Sequence, residues 1–190
     1  ANFPDFANSK ENIARDLALA KDAGFTDIVV DVRPTTGDVL FKTNLVDQVK
    51  FMYAWIGSNY TKVERTATWD YLQAFVDEAR KQGLRIHAAI NTFVGGNQID
   101  GGTGLLYRDQ SKAEWATQMN MQVGITSVMN TSESTKFFNP AHPEVQTFLC
   151  DLLKDLAGYD LDGIFLDRGR FLNLQADFSE ESRKQFEEYM

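Results

Sequence analysis

Basic clusters, cysteine, histidine and long apolar runs are what this sequence has least of, and each scarcity removes a class of function. Lysine and arginine total 19 against 27 acidic residues, a formal net charge of −8, and no stretch gathers them densely. A nucleic-acid partner asks for a basic face, so none is expected. The single cysteine, Cys150, excludes an internal disulfide. Its place in the apolar run Val145 to Leu153 makes it a small packed hydrophobe of a helix. No run approaches membrane-spanning length, and the N-terminus has no signal-peptide pattern. The two histidines stand at no spacing with Asp or Glu that marks a metal site, so neither metal nor cofactor is expected. No G-x-G-x-x-G or G-K-[ST] turn follows a strand, which argues against a nucleotide-binding doubly wound fold. No lysine falls at a strand tip, where a Schiff-base aldolase would need one.

What is present is a globular composition, 43% hydrophobic and 24% charged. The 190 residues suffice for one sizeable core. Asn8-Ser9-Lys10-Glu11 reads as a capping box before a helix with Ile13, Leu17 and Ala20 in register, ended by Gly24. Phe25 to Pro34 is a strand, with Ile28, Val30 and Val32 on one face and Val29, Asp31 and Arg33 on the other. Thr35 to Ala67 reads as a long irregular segment. Thr68 is the expected cap of a helix with Trp69, Leu72, Phe75, Val76 and Ala79 as its stripe and Gly83 as its stop. Leu84 to Asn91 is a second strand, with His87, Ala89 and Asn91 opposite Ile86, Ala88 and Ile90. A second excursion, Thr92 to His142, holds a short hairpin around Met121 to Val128. Pro143 opens a leucine-rich helix ended by Gly158. Ile164 to Leu166 then forms a third strand, read as buried on both faces, and a last helix starts at Ser179.

Helix and strand alternate three times before the final helix, the pattern of a parallel sheet with crossovers. The long excursions follow strands and never helices. Together these features point to an α/β fold of the (β/α)8 TIM-barrel type, present in part. In a barrel, alternation puts Asp31, Arg33, Asn91 and Asp167 on inward faces near the C-terminal tips of strands, with Arg168 and Arg170 directly after. Asp167 is the principal candidate, because chemistry in such folds sits at that end. Capping of the next helix is the bland alternative, but the better helix start lies at Ser179-Glu180-Glu181. Asp31 with Arg33 reads equally well as a structural ion pair. Asp162 precedes its strand and is read as structural, and His87 as a satisfied core histidine.

Four segments in order resemble the family 10 glycosylhydrolase-like proteins, bacterial carbohydrate-active (β/α)8 barrels. They are Gly24 to Pro34, Leu84 to Asn91, Phe138 to Val145 and Tyr159 to Arg170. The resemblance implies strands two to four of the barrel, one domain over 1–190 that continues past Met190, and a chain start, Ala1-Asn2-Phe3, that reads as a cut. Many relatives carry His where Phe165 stands. The resemblance further implies a glycoside hydrolase acting on an oligo- or polysaccharide, in a periplasmic, cell-surface or secreted setting. Such hydrolysis needs two carboxyl groups across the scissile bond. Asp167 is expected as nucleophile or stabilising carboxylate, with its partner on the remainder of the barrel. Asp31, Arg33, Asn91, Arg168 and Arg170 are candidate substrate contacts, as are Trp55 and Trp115, whose rings suit stacking on sugars; loop packing is the alternative for both. A non-catalytic carbohydrate-binding or interaction module on the same fold is the competing class.

Overall fold

The computed structural model describes residues 3–190. A short turn of helix, α1 (Phe3–Phe6), precedes α2 (Lys10–Asp22). The Ser9 hydroxyl caps α2 by accepting the Asn12 amide at 3.2 Å, and the chain turns out through Gly24 at φ 89°. Strand β1 (Asp27–Arg33) follows. The segment read as irregular contains a hairpin, β2 (Phe51–Ile56) and β3 (Asn59–Glu64). Its alternating Phe51, Tyr53 and Trp55 and its Gly57 turn, at φ 62°, supply the strand and turn chemistry that length alone obscures.

Helix α3 (Tyr71–Gln82) starts later than expected. Asp70, not Thr68, is its cap, accepting the Gln73 amide at 3.1 Å, so Trp69 lies outside the helix. Gly83 ends it in the left-handed conformation, φ 68°. Strand β4 (Arg85–Asn91) is followed by β5 (Val94–Asn97), α4 (Leu105–Arg108), the hairpin β6 (Gln118–Met121) with β7 (Gly124–Ser127), and β8 (Thr135–Phe137), which pairs with β5. Pro143 opens α5 (Pro143–Leu156), and β9 (Gly163–Asp167) and α6 (Glu180–Tyr189) complete the chain. On α5, Val145, Phe148, Leu149, Leu152 and Leu156 are buried at helical spacing. Cys150 falls beside that stripe and is exposed, contrary to the packed position expected of it.

Strands β1, β4 and β9 form one sheet in the order β1-β4-β9. Its direction follows from the hydrogen bonds at its ends. The Arg85 amide bonds Thr26 and the Asp162 amide bonds Ile86 where strands begin, and the Thr92 amide bonds Asp167 where strands finish. Strand starts lie beside strand starts and strand ends beside strand ends, so the sheet is parallel. The alternation of sequence elements therefore corresponds to an α/β fold. One expectation fails: β9 is not buried on both faces. Phe165 is 52% and Leu166 54% exposed, because β9 has only β4 beside it among the described residues. An apolar run reports the side chains, not the number of neighbours a strand has.

The chain divides into two compact units. The first comprises Ala1–Val32, Val39–Ile90 and Asp155–Phe165; the second comprises Arg33–Asp38, Asn91–Lys154 and Leu166–Met190. In the first, Ile13 and Leu17 of α2, Leu72, Phe75, Val76 and Ala79 of α3, and Val30, Val32, Ile86, Ala88 and Ile90 of the strands are buried. Each large side chain of this set contributes about 1.5–3 kcal/mol by leaving water. Phe6 meets Phe75 edge-on, with centroids 5.4 Å apart. In the second unit, Trp115 packs against Phe138 and Phe148 at 5.9 and 5.5 Å.

Candidate functional site

The last residues of the three strands are polar, and the second unit holds them in two different ways. Arg33 is fully buried. Its Nη1 donates to the carbonyls of Asn91 and Thr92 at 2.5 and 3.2 Å, and its Nη2 to that of Val94 at 2.5 Å. Asn91, also buried, returns a hydrogen bond from Nδ2 to the Arg33 carbonyl at 2.8 Å. The guanidinium thus fixes the chain where β4 turns towards β5, with the Phe138 ring 5.9 Å away. Such a clamp uses a charge to satisfy carbonyls that would otherwise be buried without donors.

Asp167 is held differently. Its backbone carbonyl accepts the Thr92 amide at 2.7 Å, which fixes the strand tip. Its carboxylate is exposed and accepts only the Arg168 amide, at 2.7 Å, among the described residues. Arg168 has a positive φ of 48°, a conformation that residues other than glycine seldom adopt. Asp167 therefore does not cap a helix; Ser179 does that for α6, accepting the Ser182 amide at 3.1 Å. Arg170 directs Nη1 to the carbonyls of Phe171 and Leu172 at 3.0 and 2.9 Å. Beside this tip lies the buried Thr92 hydroxyl, without a hydrogen-bond partner among the described residues.

Of the remaining candidates, Asp31 is exposed on β1 in the first unit. Burial, and next the charge of Asp31, raise the Tyr71 hydroxyl far above its ordinary pKa. Trp55 is 68% exposed on the hairpin, where it pairs across the strands with Tyr60, ring centroids 5.3 Å apart. Tyr60 also stacks on Tyr53 at 5.4 Å. Trp115 is only 5% exposed, with Nε1 donating to Glu144 at 3.1 Å, so its ring serves packing. The aromatic ladder of the hairpin escaped sequence reading as a unit, although its alternation and glycine turn were the signal that would have found it. Thr92 carried no signal beyond following Asn91.

Residues at the starts of the same strands, in the first unit, form ion pairs. Asp27 accepts Arg85 through both oxygens at 2.7 and 2.6 Å and meets His87 Nε2 at 2.8 Å. The hydrogen bonds from Arg85, then those from Thr26 and His87, hold its carboxyl well below the usual range. Asp162 accepts the Ile86 amide at 2.8 Å and Arg80 at 2.7 Å, and both lower its pKa. His87 lies edge-on to Phe165 at 5.8 Å.

A family model described as glycosyl hydrolase-like 10 matches residues 2–189. The chain belongs to this family. Among curated proteins, an S-layer-related protein of Niallia circulans is 30% identical over 186 residues. That match takes in 95% of this chain but 11% of the relative, so the chain spans about a tenth of that protein's length. Among solved structures, a hypothetical protein of Ruminiclostridium thermocellum is similar at a TM-score of 0.60 and 16% identity, covering 98% of this chain and 87% of that one. The galactosidase domain of an α-galactosidase–sucrose kinase is similar at 0.51 and 16% identity, covering 86% of this chain and 19% of that one. At such identities the two structures speak for the fold alone. Among the described residues of this glycosyl hydrolase-like chain, no helix is long and apolar enough to cross a membrane.

Proposed function

We propose that this glycosyl hydrolase-like chain contributes three strands to a (β/α)8 barrel that cleaves a glycosidic bond in an oligo- or polysaccharide, with Asp167 as a catalytic carboxylate. The observation that carries this is the state of Asp167. It is an exposed carboxylate at the end of a parallel strand, where a single backbone amide is its donor among the described residues. Its position suits attack on, or charge stabilisation of, a developing oxocarbenium centre, while a second carboxyl group on further strands protonates the leaving oxygen. Barrel closure is supported by the open face of the sheet, where Val29 and Phe165 are 47% and 52% exposed. Further strands would bury that face and pair the outer edges of β1 and β9. Arg33 and Asn91 hold the tip of β4 rather than a sugar, whereas Arg168, Arg170 and Trp55 remain candidate contacts. The name of the Niallia relative supports a secreted or cell-surface setting.

A second reading keeps the fold and the carbohydrate but not the turnover. Two of the polar residues expected at the mouth, Arg33 and Asn91, are engaged in holding backbone, which favours a binding module. Asp167→Asn in the full-length protein separates the two. The catalytic reading expects hydrolysis to fall by about a thousandfold or more with oligosaccharide binding retained. Undiminished hydrolysis in that variant removes Asp167 from the mechanism. Binding without any turnover in the unaltered protein establishes the module.

A further inference from the structure

The first unit contains a cavity of about 790 Å³ whose lining includes none of the candidate site residues above; Lys42, Thr43, Asn44, Arg65, Trp69 and Asp70 are among those that line it. Its volume lies in the range of small-ligand sites. Arg65 is its distinguishing group. The Arg65 amide bonds the Lys50 carbonyl at 2.8 Å, which fixes the residue at the base of the β2–β3 hairpin. Its Nη2 donates to the Trp69 carbonyl, and the guanidinium lies 5.3 Å from the Trp69 ring and 6.0 Å from that of Tyr71. Nε is buried with no hydrogen-bond partner among the described residues. No carboxylate forms an ion pair with Arg65 or Lys42 among those residues. Burial lowers the pKa of Arg65 and outweighs the opposing effects of Tyr71 and Asp70, the mark of a cation partly stripped of water.

The two acidic residues of the cavity are already engaged. Asp70 accepts the Gln73 amide at 3.1 Å and the Tyr159 hydroxyl at 2.5 Å, and Asp155 accepts the Thr43 hydroxyl at 2.6 Å. Their charges still repel a dianion more than a monoanion. A guanidinium with unused donors recognises a planar carboxylate through paired N–H groups, and a nearby lysine adds a point charge. Asn44 and Thr68 supply polar groups for hydroxyls.

We infer that this cavity binds the carboxylate of an acidic saccharide, a uronate residue of the glycan, with Arg65 as its principal partner and Lys42 as the second. That the carboxylate belongs to a sugar rests on the function proposed above; that the ligand is a monoanion rests on the cavity alone. The test is calorimetric titration of the full-length protein with a glucuronate-containing oligosaccharide, its carboxyl-reduced neutral counterpart, and inorganic phosphate. The expected result is binding of the acidic oligosaccharide, at least about tenfold weaker for the neutral one, and weaker again for phosphate. Arg65→Gln should weaken acidic binding about tenfold, and Lys42→Gln, on an exposed residue, a fewfold. Arg65→Lys keeps the charge without the fork, and should also lose affinity should Arg65→Gln fail to fold. Equal binding of the neutral oligosaccharide, unchanged by these variants, overturns the uronate site and leaves the glycosidase reading standing. Preference for phosphate, or no binding of the acidic oligosaccharide, overturns it as well. Hydrolysis that does not depend on Asp167 overturns the glycosidase reading without altering this titration.

Discussion

The starts and ends of the three sheet strands carry similar charges but use them differently. At the strand starts, Asp27 pairs with Arg85 and His87, and Asp162, just before β9, with Arg80, so each carboxylate has a cation. At the strand ends, Arg33 binds carbonyls and Arg170, in the loop after β9, binds carbonyls of that loop, which leaves the Asp167 carboxylate with one amide among the described residues. A carboxylate paired with a cation steadies a strand, whereas one aimed at solvent from a fixed tip is available for chemistry. The distinction lies in the partners, since aspartate and arginine occur at both ends.

The largest expected effect breaks the clamp at the last residues. Arg33→Met removes the donors of three buried carbonyls and should cost about 3 kcal/mol or more, read as a shifted urea midpoint. An unchanged midpoint would mean that the carbonyls find other donors. Next comes the open face of the sheet. If the barrel closes as proposed, Phe165→Ser should cost about 1–3 kcal/mol in a longer protein whose added strands cover that face, and much less in the 190-residue chain. Equal costs in both would contradict barrel closure.

A smaller effect belongs to Asp177, which accepts Thr117 Oγ1, the Gln118 amide and Ser182 Oγ at 2.8, 2.6 and 2.7 Å, besides the Ser179 amide and hydroxyl. Burial works to raise its pKa, but these donors outweigh it and hold the carboxyl below its ordinary value. The stabilisation is therefore complete above the unfolded-state pKa and is lost as pH falls through the lower folded-state value. Asp177→Ala should cost about 1–2 kcal/mol at pH 7 and progressively less as the pH falls below about 4. A cost independent of pH would assign the loss to packing. The smallest effect on stability is expected from Trp55→Ala, which removes an exposed ring. Its melting temperature should barely move, and a fall in oligosaccharide affinity would place the hairpin rings in carbohydrate binding.

The strands, their parallel order and their helices were legible because each signal is local. Alternation in Phe25 to Pro34, glycines 24 and 83, Pro143 and the Ser179 cap all act within a few residues. The aromatic hairpin was obscured inside a segment that is polar and glycine-containing elsewhere. Exposure of Phe165 and Leu166 was illegible for another reason: burial depends on how many neighbours a strand has, and no local pattern carries that number. At the candidate site, sequence placed Asp167 at a strand tip, but it could not show that Arg33 and Asn91 bind each other's backbone. That pairing joins residues 58 positions apart.

In the proposed function Asp167 acts chemically, whereas its counterparts at the strand starts act structurally. The most direct test measures hydrolysis and thermal melting side by side for Asp167→Asn and Asp162→Asn in the full-length protein. Asp167→Asn should lose turnover by about a thousandfold or more at an unchanged melting temperature. Asp162→Asn should keep turnover and melt several degrees lower. Full turnover in Asp167→Asn, or a lowered melting temperature with no kinetic loss, would contradict the proposed function.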